Sequence, residues 1–349
     1  MRNSHKKVDS TKYPDKFRPI VVHTGQHYDV NMSDEFFRQL EIPEPDINLG
    51  IGSGSHAEQT AKIMMAFEKY LLKVKPDLIM VYGDVNSTIA CALVAVKLGV
   101  PVAHVEAGLR SFDRTMPEEI NRILTDSISD ILFTTEESAN RNLANEGIPE
   151  EKIHFVGNVM IDSLVGSLKK IEDKPLPFDG LMERDYALIT LHRPSNVDNP
   201  IILEKILDYL MNVSKRIKLV FPIHPRTKGN IESFDLEHKL EAVSKNAILS
   251  QPIGYFEMLR LMKSAKFVIT DSGGIQEETT YLGVPCITMR ENTERPVTVD
   301  VGTNVIVGDD LEALDSTFQQ IMRNNFKKGA IPPLWDGTAA ERIVAALCG

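Results

Sequence analysis

Phe267-Val268-Ile269-Thr270-Asp271-Ser272-Gly273-Gly274-Ile275-Gln276-Glu277-Glu278 is the stretch on which the reading of this chain turns. The apolar run Phe267–Thr270 has the length and bounds of a buried strand, and it gives way to a small polar turn and then to a helical pattern. Two glycines let a ligand approach the backbone closely. The N–H groups at the helix start, together with the helix dipole, favour an anion such as a pyrophosphate. Glu278 lies one turn into the helix, where its carboxylate can accept both hydroxyls of a ribose. The plainer alternative is an ordinary capped helix with Asp271 or Ser272 as N-cap.

The same rhythm extends outward in both directions. Short apolar runs alternate with amphipathic segments of roughly ten to fifteen residues, the pattern of repeated βαβ units. Strands are expected at Ile20–His23, Asp77–Tyr82, Pro101–Val105, Ile131–Thr134 and Ile153–Val156, and again at Tyr186–Leu191, Leu219–Ile223, Pro285–Met289 and Asn304–Val307. Helices are expected at Val85–Leu98, Pro117–Ser129, Ile201–Val213, Tyr255–Ser264, Ile275–Leu282, Leu311–Arg323 and Thr338–Leu347. Lys169–Asp185, with Pro175, Pro177 and Gly180, interrupts the rhythm and reads as a linker or a loop just past one. A length of 349 residues suits two domains. The expectation is an α/β protein of two doubly wound Rossmann-like domains, residues 1–165 and 166–336, with ligands outside the carboxyl ends of the strands.

The formal charge of −10 argues against nucleic acid as the main partner. Cys91, Cys286 and Cys348 are far apart and suggest neither a disulfide framework nor a thiolate zinc site. Met1–Pro19 is polar and lysine-rich, without the apolar stretch of a signal peptide. The most apolar region, Ile89–Val105, is interrupted by Lys97 and Gly99, so membrane insertion is not expected and the default location is cytoplasmic. Gly50-Ile51-Gly52-Ser53-Gly54 resembles part of a dinucleotide fingerprint. It lacks the third glycine and follows no convincing strand, so no nicotinamide cofactor is expected.

Two His/Arg clusters fall at expected strand ends: Leu191-His192-Arg193-Pro194 and Pro222-Ile223-His224-Pro225-Arg226. Together they point to a phosphate-facing cleft. No spacing suited to a metal accompanies them. Glu294-Arg295-Pro296 follows another strand, and its guanidinium suits a phosphate or a carboxylate. In the first half, Asp84, Glu106 and Glu118 are acids near strand ends or a helix start. Each has a bland explanation: Asp84 as a helix cap, Glu118 in a capping box with Thr115. Glu118 and Arg122, four apart, share a helix face. Carboxylates held close raise one another's pKa, which suits proton transfer by acid and base in one site.

Taken together, Thr24-Gly25-Gln26-His27, Gly83-Asp84, His104-Val105-Glu106-Ala107-Gly108-Leu109-Arg110, Pro117-Glu118-Glu119-Ile120-Asn121-Arg122, Gly157-Asn158, Leu191-His192-Arg193, Asp271–Glu278 and Glu294-Arg295-Pro296 resemble the UDP-N-acetylglucosamine 2-epimerase family of the non-hydrolysing kind. The resemblance runs from about Val21 to the C-terminus. It implies an architecture like that of GT-B glycosyltransferases, a cleft between the domains that takes a UDP-sugar, a last helix (337–349) packed on the first domain, a homodimer, and no redox cofactor. By residue, it implies that Asp84, Glu106 and Glu118 are acid/base carboxylates, that His192 is an active-site histidine and that Arg122 supports activity. It also implies that Ser272, Gly273, Gly274, Glu278 and Arg295 hold the UDP. Met258 stands where the family has a phenylalanine near the uracil.

The implied reaction is C2 epimerisation by anti-elimination of UDP and its re-addition. Free UDP and a released sugar would instead mark a hydrolysing relative, an acceptor requirement a glycosyltransferase, and binding without turnover a UDP-sugar-binding protein. A 2,3-diacetamido uronate is a related substrate class. The family pattern also opens with a strand, a glycine-threonine-arginine-proline-glutamate turn and a lysine-bearing helix. Neither motif is found in Met1–Pro19, and the expectation is a first sheet without its central strand and with an open apolar edge.

Overall fold

A computed structural model describes residues 17–25 and 43–348. Gln26 and His27 of the Thr24–His27 motif lie outside the described residues. Two compact units are present, one formed by Met1–Ser167 with Pro333–Gly349, the other by Leu168–Pro332. Among the described residues no helix is long and apolar enough to cross a membrane.

In the first unit the strands are β1 (Val22–His23), β2 (Ile47–Asn48), β3 (Ile79–Tyr82), β4 (Val102–Ala107), β5 (Ile131–Thr134) and β6 (Ile153–Phe155). Its helices are α1 (His56–Val74), α2 (Asn86–Lys97), α3 (Pro117–Ile128), α4 (Glu137–Asn145) and α5 (Val159–Ile171). All ladders are parallel. The strands form a four-stranded sheet in the order β3-β4-β5-β6 and a separate pair, β1-β2. Among the described residues no ladder joins β1 to β3. Both nevertheless rest on one core, in which Val22 and Leu49 pack with Ile63, Phe67, Leu71, Val81 and Ala90. The glycine run Gly50–Gly54 does follow a strand, β2, contrary to the sequence reading, and leads into α1 with Ser55 as N-cap. That strand is two residues long, too short for a periodic signal.

The C-terminal segment belongs to this unit. Ile343 of the last helix sits in a core with Ala103, Val105 and Phe133, and Trp335 Nε1 donates to the Thr135 carbonyl at 3.0 Å. The Ala339 and Ala340 amides, unsatisfied at a helix start, donate to the Asp162 carboxylate at 3.0 and 2.7 Å.

The second unit carries β7 (Tyr186–Thr190), β8 (Lys218–Pro222), β9 (Ala247–Ser250), β10 (Phe267–Thr270), β11 (Cys286–Thr288) and β12 (Asn304–Ile306). They form one parallel sheet in the order β12-β11-β10-β7-β8-β9. Its helices are α6 (Pro194–Val197), α7 (Pro200–Ser214), α8 (Pro225–Ser233), α9 (Glu237–Ser244), α10 (Tyr255–Ser264), α11 (Gly273–Leu282), α12 (Val297–Asp300) and α13 (Leu311–Met322). The final helix of the chain, in the first unit, is α14 (Ala339–Cys348). Tyr186–Thr190 and Phe267–Thr270 are buried along their whole length, as central parallel strands covered by helices on both faces must be. The division between the units falls inside α5, so Lys169 and Lys170, expected to open a linker, are helical.

Candidate active site

In the second unit the chain runs from β7 outward to β8 and β9, then crosses back to β10. The topological switch point therefore lies between β7 and β10, where a doubly wound sheet opens a crevice at its carboxyl ends. His192 and Arg193 follow β7, and Asp271, Ser272 and Gly273 follow β10.

Asp271 is fully buried and links these two ends. Its carboxylate accepts the backbone N–H groups of His192 (2.9 Å) and Arg193 (2.8 Å) and the Asn196 amide (3.1 Å), and it meets His192 Nδ1 at 3.0 Å. Burial opposes its charge, but His192 and these N–H donors hold the carboxyl below the usual range. Neither capping alternative therefore applies: Asp271 orients His192, and Ser272, although at the N-cap position, makes no side-chain cap. Asn196, which also donates to the Met289 carbonyl at 2.9 Å, was missed by the sequence reading.

The start of α11 is bare. A Cβ on Gly273 would lie 2.8 Å from Glu294 Oε1, 3.4 Å from Arg295 Nη1 and 3.7 Å from Arg290 Nη1. A side chain there would have to displace the Glu294 carboxylate from its two arginines. Two guanidiniums thus flank a helix N-terminus, and their counter-charges are internal: Glu294 with Arg290 at 2.8 Å and with Arg295 at 2.6 Å, and Glu277 with Arg295 at 2.7 Å. Burial opposes the charge of Glu294, and the two arginines hold its carboxyl far below the ordinary value. Arg290 is a second missed residue. The loop is fixed by Gln276 Oε1, which accepts from Thr293 Oγ1 at 2.8 Å and Asn304 Nδ2 at 3.1 Å.

One turn along α11, Glu278 is buried and accepts the Tyr255 hydroxyl at 2.8 Å. Burial pushes its carboxyl up to about 7, the Tyr255 hydrogen bond resists, and Glu277 adds to the rise. Met258, on the same helix as Tyr255, is half-buried against the β10 side of the core. His224 and His192 have ring centroids 5.3 Å apart. His224 also caps α8 by accepting the Arg226 amide at 3.1 Å. Arg226, expected to face phosphate, is instead paired with Asp198. Arg193 is half-buried, and its Nε finds no hydrogen-bond partner among the described residues.

In the first unit Asp84 is tied to α3, the helix that carries Glu118 and Arg122. Arg122, 2% exposed, pairs with Asp84 and with Glu119 (2.7 Å), and Asn121 Nδ2 donates to the Asp84 carbonyl at 2.8 Å. The expected Arg122–Glu118 pair is not formed. Arg122 prefers Glu119, which is buried beside it, while Glu118 points elsewhere on the first turn and is only half-buried. The Thr115–Glu118 capping box is also absent, because Thr115 bonds to Asp113 and the N-cap residue is Met116. Asp84 caps nothing: α2 starts after Val85 without a side-chain cap. Glu119 accepts the Ser111 amide (3.0 Å), the Ser111 hydroxyl (3.0 Å) and the Phe112 amide (2.9 Å). Burial opposes its charge, and the Ser111 amide with Arg122 holds its carboxyl below the usual value.

Glu106 lies at φ +70°, where the β4–β5 register slips between Val105 and Ala107. A bulge of this kind re-aims a side chain, and a non-glycine residue in the left-handed region costs about 1–3 kcal/mol that the surrounding structure must supply. Asp84, Glu106 and Glu118 thus lie on three segments of one unit with no helix-capping role. Among the described residues no group of three or more His, Cys, Asp or Glu side chains is placed to hold a metal ion.

The family model for UDP-N-acetylglucosamine 2-epimerase matches residues 10–348. The UDP-N-acetylglucosamine 2-epimerase of Methanocaldococcus jannaschii is 48% identical over 333 residues, 94% of this chain and 90% of the relative. A Pseudomonas aeruginosa UDP-2,3-diacetamido-2,3-dideoxy-D-glucuronate 2-epimerase is 47% identical over 293 residues, 83% of this chain and 80% of the relative. The crystal structure of the M. jannaschii enzyme with UDP-GlcNAc and UDP superposes with a TM-score of 0.88 at 46% identity, covering 98% of this chain and 94% of that one. The Neisseria meningitidis epimerase bound to UDP-GlcNAc gives 0.82 at 29% identity, covering 93% of this chain and 90% of that one. With that family model spanning residues 10–348 and a relative 48% identical over 94% of this chain, the chain belongs to the UDP-N-acetylglucosamine 2-epimerase family.

Proposed function

We propose that this protein is an isomerase that interconverts UDP-N-acetylglucosamine and UDP-N-acetylmannosamine by eliminating UDP and adding it back on the sugar. The observation that carries the reading is the uncapped start of α11, where the guanidiniums of Arg295 and Arg290 come within 3.4 and 3.7 Å of where a Gly273 Cβ would lie. Such a site suits a diphosphate whose charge grows as the C1–O bond breaks. In this reading Ser272, Gly273, Gly274 and Arg295 hold the diphosphate, Arg193 adds charge and His224 a hydrogen bond beside it, Glu278 takes the ribose hydroxyls, and Met258 lies against the uracil. His192, oriented through Nδ1 by Asp271, presents Nε2 to the departing phosphate.

The C2 hydrogen is not acidic, so its removal must be assisted by loss of UDP. Asp84, Glu106 and Glu118 are proposed to share the proton transfers, one acting as base on the first face and another as acid on the opposite face. Arg122 acts through Asp84 and Glu119 rather than on substrate. No step in this scheme calls on a redox cofactor. A homodimer, expected for the family, is part of the proposal and is read by sedimentation equilibrium.

Proton NMR of UDP-GlcNAc with the full chain in D₂O tests the reading. Loss of the C2 proton signal with appearance of the manno epimer is expected, without accumulation of free UDP. Accumulating UDP would mean a hydrolysing enzyme, and binding without exchange a UDP-sugar-binding protein. The similarity to the P. aeruginosa enzyme favours one other substrate. UDP-2,3-diacetamido-2,3-dideoxy-D-glucuronate in a parallel tube decides between the two.

The ribose assignment carries its own pH test. Two hydroxyl donors require Glu278 ionised, yet its carboxyl is raised to about 7. Uridine, which has no phosphate to titrate, should therefore bind about tenfold tighter at pH 8 than at pH 6 and release a proton on binding. Calorimetry in buffers of different ionisation enthalpy reads both. Glu278→Gln should flatten the pH dependence, and a parent affinity that does not change with pH would remove Glu278 from the ribose site.

A further inference from the structure

His104 and Asp126 form a buried ion pair that the scheme above does not use. Both are 0% exposed. His104 lies on β4, two residues before Glu106. Its Nδ1 meets Asp126 Oδ1 at 2.6 Å and its Nε2 meets the Gly83 carbonyl at 2.8 Å. A carbonyl and an ionised carboxylate only accept, so both ring nitrogens must donate and the ring carries a positive charge. The second oxygen of Asp126 accepts the Gly108 amide at 3.0 Å and meets Arg110 Nη1 at 2.7 Å. Arg110 is in turn held by Glu146 through two hydrogen bonds, at 2.8 and 2.6 Å. Two cations, His104 and Arg110, thus balance two anions, Asp126 and Glu146, and Glu106 is the further charge acting on the ring. Burial opposes protonation of His104, but Asp126, the Gly83 carbonyl and Glu106 raise its pKa.

The bonds lead to three segments. The Gly83 carbonyl precedes Asp84, the Gly108 amide follows Glu106 and Ala107, and Asp126 projects from α3, the helix of Glu118 and Arg122. Gly108, at φ +77°, approaches α4 so closely that a Cβ would lie 2.6 Å from the Ala139 carbonyl oxygen, so the chain there has little room to shift. We propose that His104 is a positioning residue, permanently an imidazolium, that ties the Asp84 and Glu106 segments to α3 in one geometry for proton transfer. A buried pair of this kind is weak evidence for added stability but well suited to specifying one arrangement. The catalytic half of the inference rests on the proposed roles of Asp84 and Glu106. The charge state and the tethering do not.

Three measurements on the full chain test it. Nitrogen-15 NMR of the histidine rings should find both His104 nitrogens protonated from pH 6 to pH 8, and a neutral ring overturns the proposal. In His104→Gln both donors sit on one amide nitrogen, which cannot reach the two partners that the separate ring nitrogens serve. Amide hydrogen exchange should then speed up at residues 82–86 and 106–110, and C2 deuterium exchange at saturating UDP-GlcNAc should fall about 100-fold with UDP affinity kept. Asp126→Asn, which keeps the side-chain volume, should give the same pattern and serves if the first variant does not fold. Parent-like amide exchange, or parent-like C2 exchange per folded molecule, overturns the positioning role, because a structural role alone would lower C2 exchange and UDP binding together and only with the folded fraction. A parent protein that performs no C2 exchange refutes the epimerase reading instead, while the ring charge and amide exchange still decide the tethering.

Discussion

Glu118→Gln is expected to bind UDP as the parent does and to lose C2 deuterium exchange by about 10²–10⁴-fold, the range for removing one general acid or base. That is about 3–5 kcal/mol of activation free energy. The expectation comes from what Glu118 does not do in the fold. It makes no hydrogen bond or ion pair among the described residues, caps nothing, and is half-buried at the first turn of α3. Its negative charge at a helix N-terminus contributes about 0.3–1 kcal/mol, so the amide should cost no more than that in stability. The adjacent Glu119 is the control. It is buried and takes two backbone amides, a hydroxyl and Arg122. Glu119→Gln should lower the melting temperature first, with activity falling as a consequence. Calorimetry and NMR in D₂O on the two variants separate the roles. Parent-like exchange in folded Glu118→Gln would remove it from the chemistry.

The contrast between these neighbours shows how far the sequence could be read. Buried parallel strands announce themselves as unbroken apolar runs, and Phe267–Thr270 and Ile131–Thr134 have the expected bounds. The edge strand Ala247–Ser250 is half-buried throughout, and its short apolar run, Ala247-Ile248-Leu249, went unread. Helix α1 carried a usable signal that was overlooked, the apolar stripe Ile63, Phe67 and Leu71 at four-residue spacing. The acids and the glycine turn were legible as residue types at strand ends. Their partners were not. Local spacing pairs Arg122 with Glu118, whereas the folded chain pairs it with Glu119 and with Asp84, 38 positions away. Asn196, Tyr255 and Asp126 are likewise single polar residues whose importance comes from groups remote in sequence, which no periodicity reveals.

Arg122→Met should cost about 3–5 kcal/mol of unfolding free energy at pH 7, the usual penalty for stranding one partner of a buried ion pair. Arg122 is 2% exposed and Glu119 1%, so the carboxylate left behind has little access to water. The pH dependence identifies the cause. In the parent, Glu119 has its carboxyl depressed below the ordinary value of 4.5, so its contribution is present above that value and is lost as pH falls through the depressed one. In the variant, burial acts without the guanidinium, and protonation relieves the stranded charge. The gap between parent and variant should therefore be widest near neutrality and narrow toward pH 4. Urea unfolding at the two pH values measures it. A gap below about 1 kcal/mol, the size of an exposed pair, would show that water reaches Glu119 after all. A gap independent of pH would trace the loss to packing of the long arginine stem instead. Arg122→Lys separates charge from geometry. Its ammonium restores the positive charge but lacks the planar fork that serves Asp84 and Glu119 together. Stability should partly return in that variant, while C2 exchange stays low because Asp84 is no longer held.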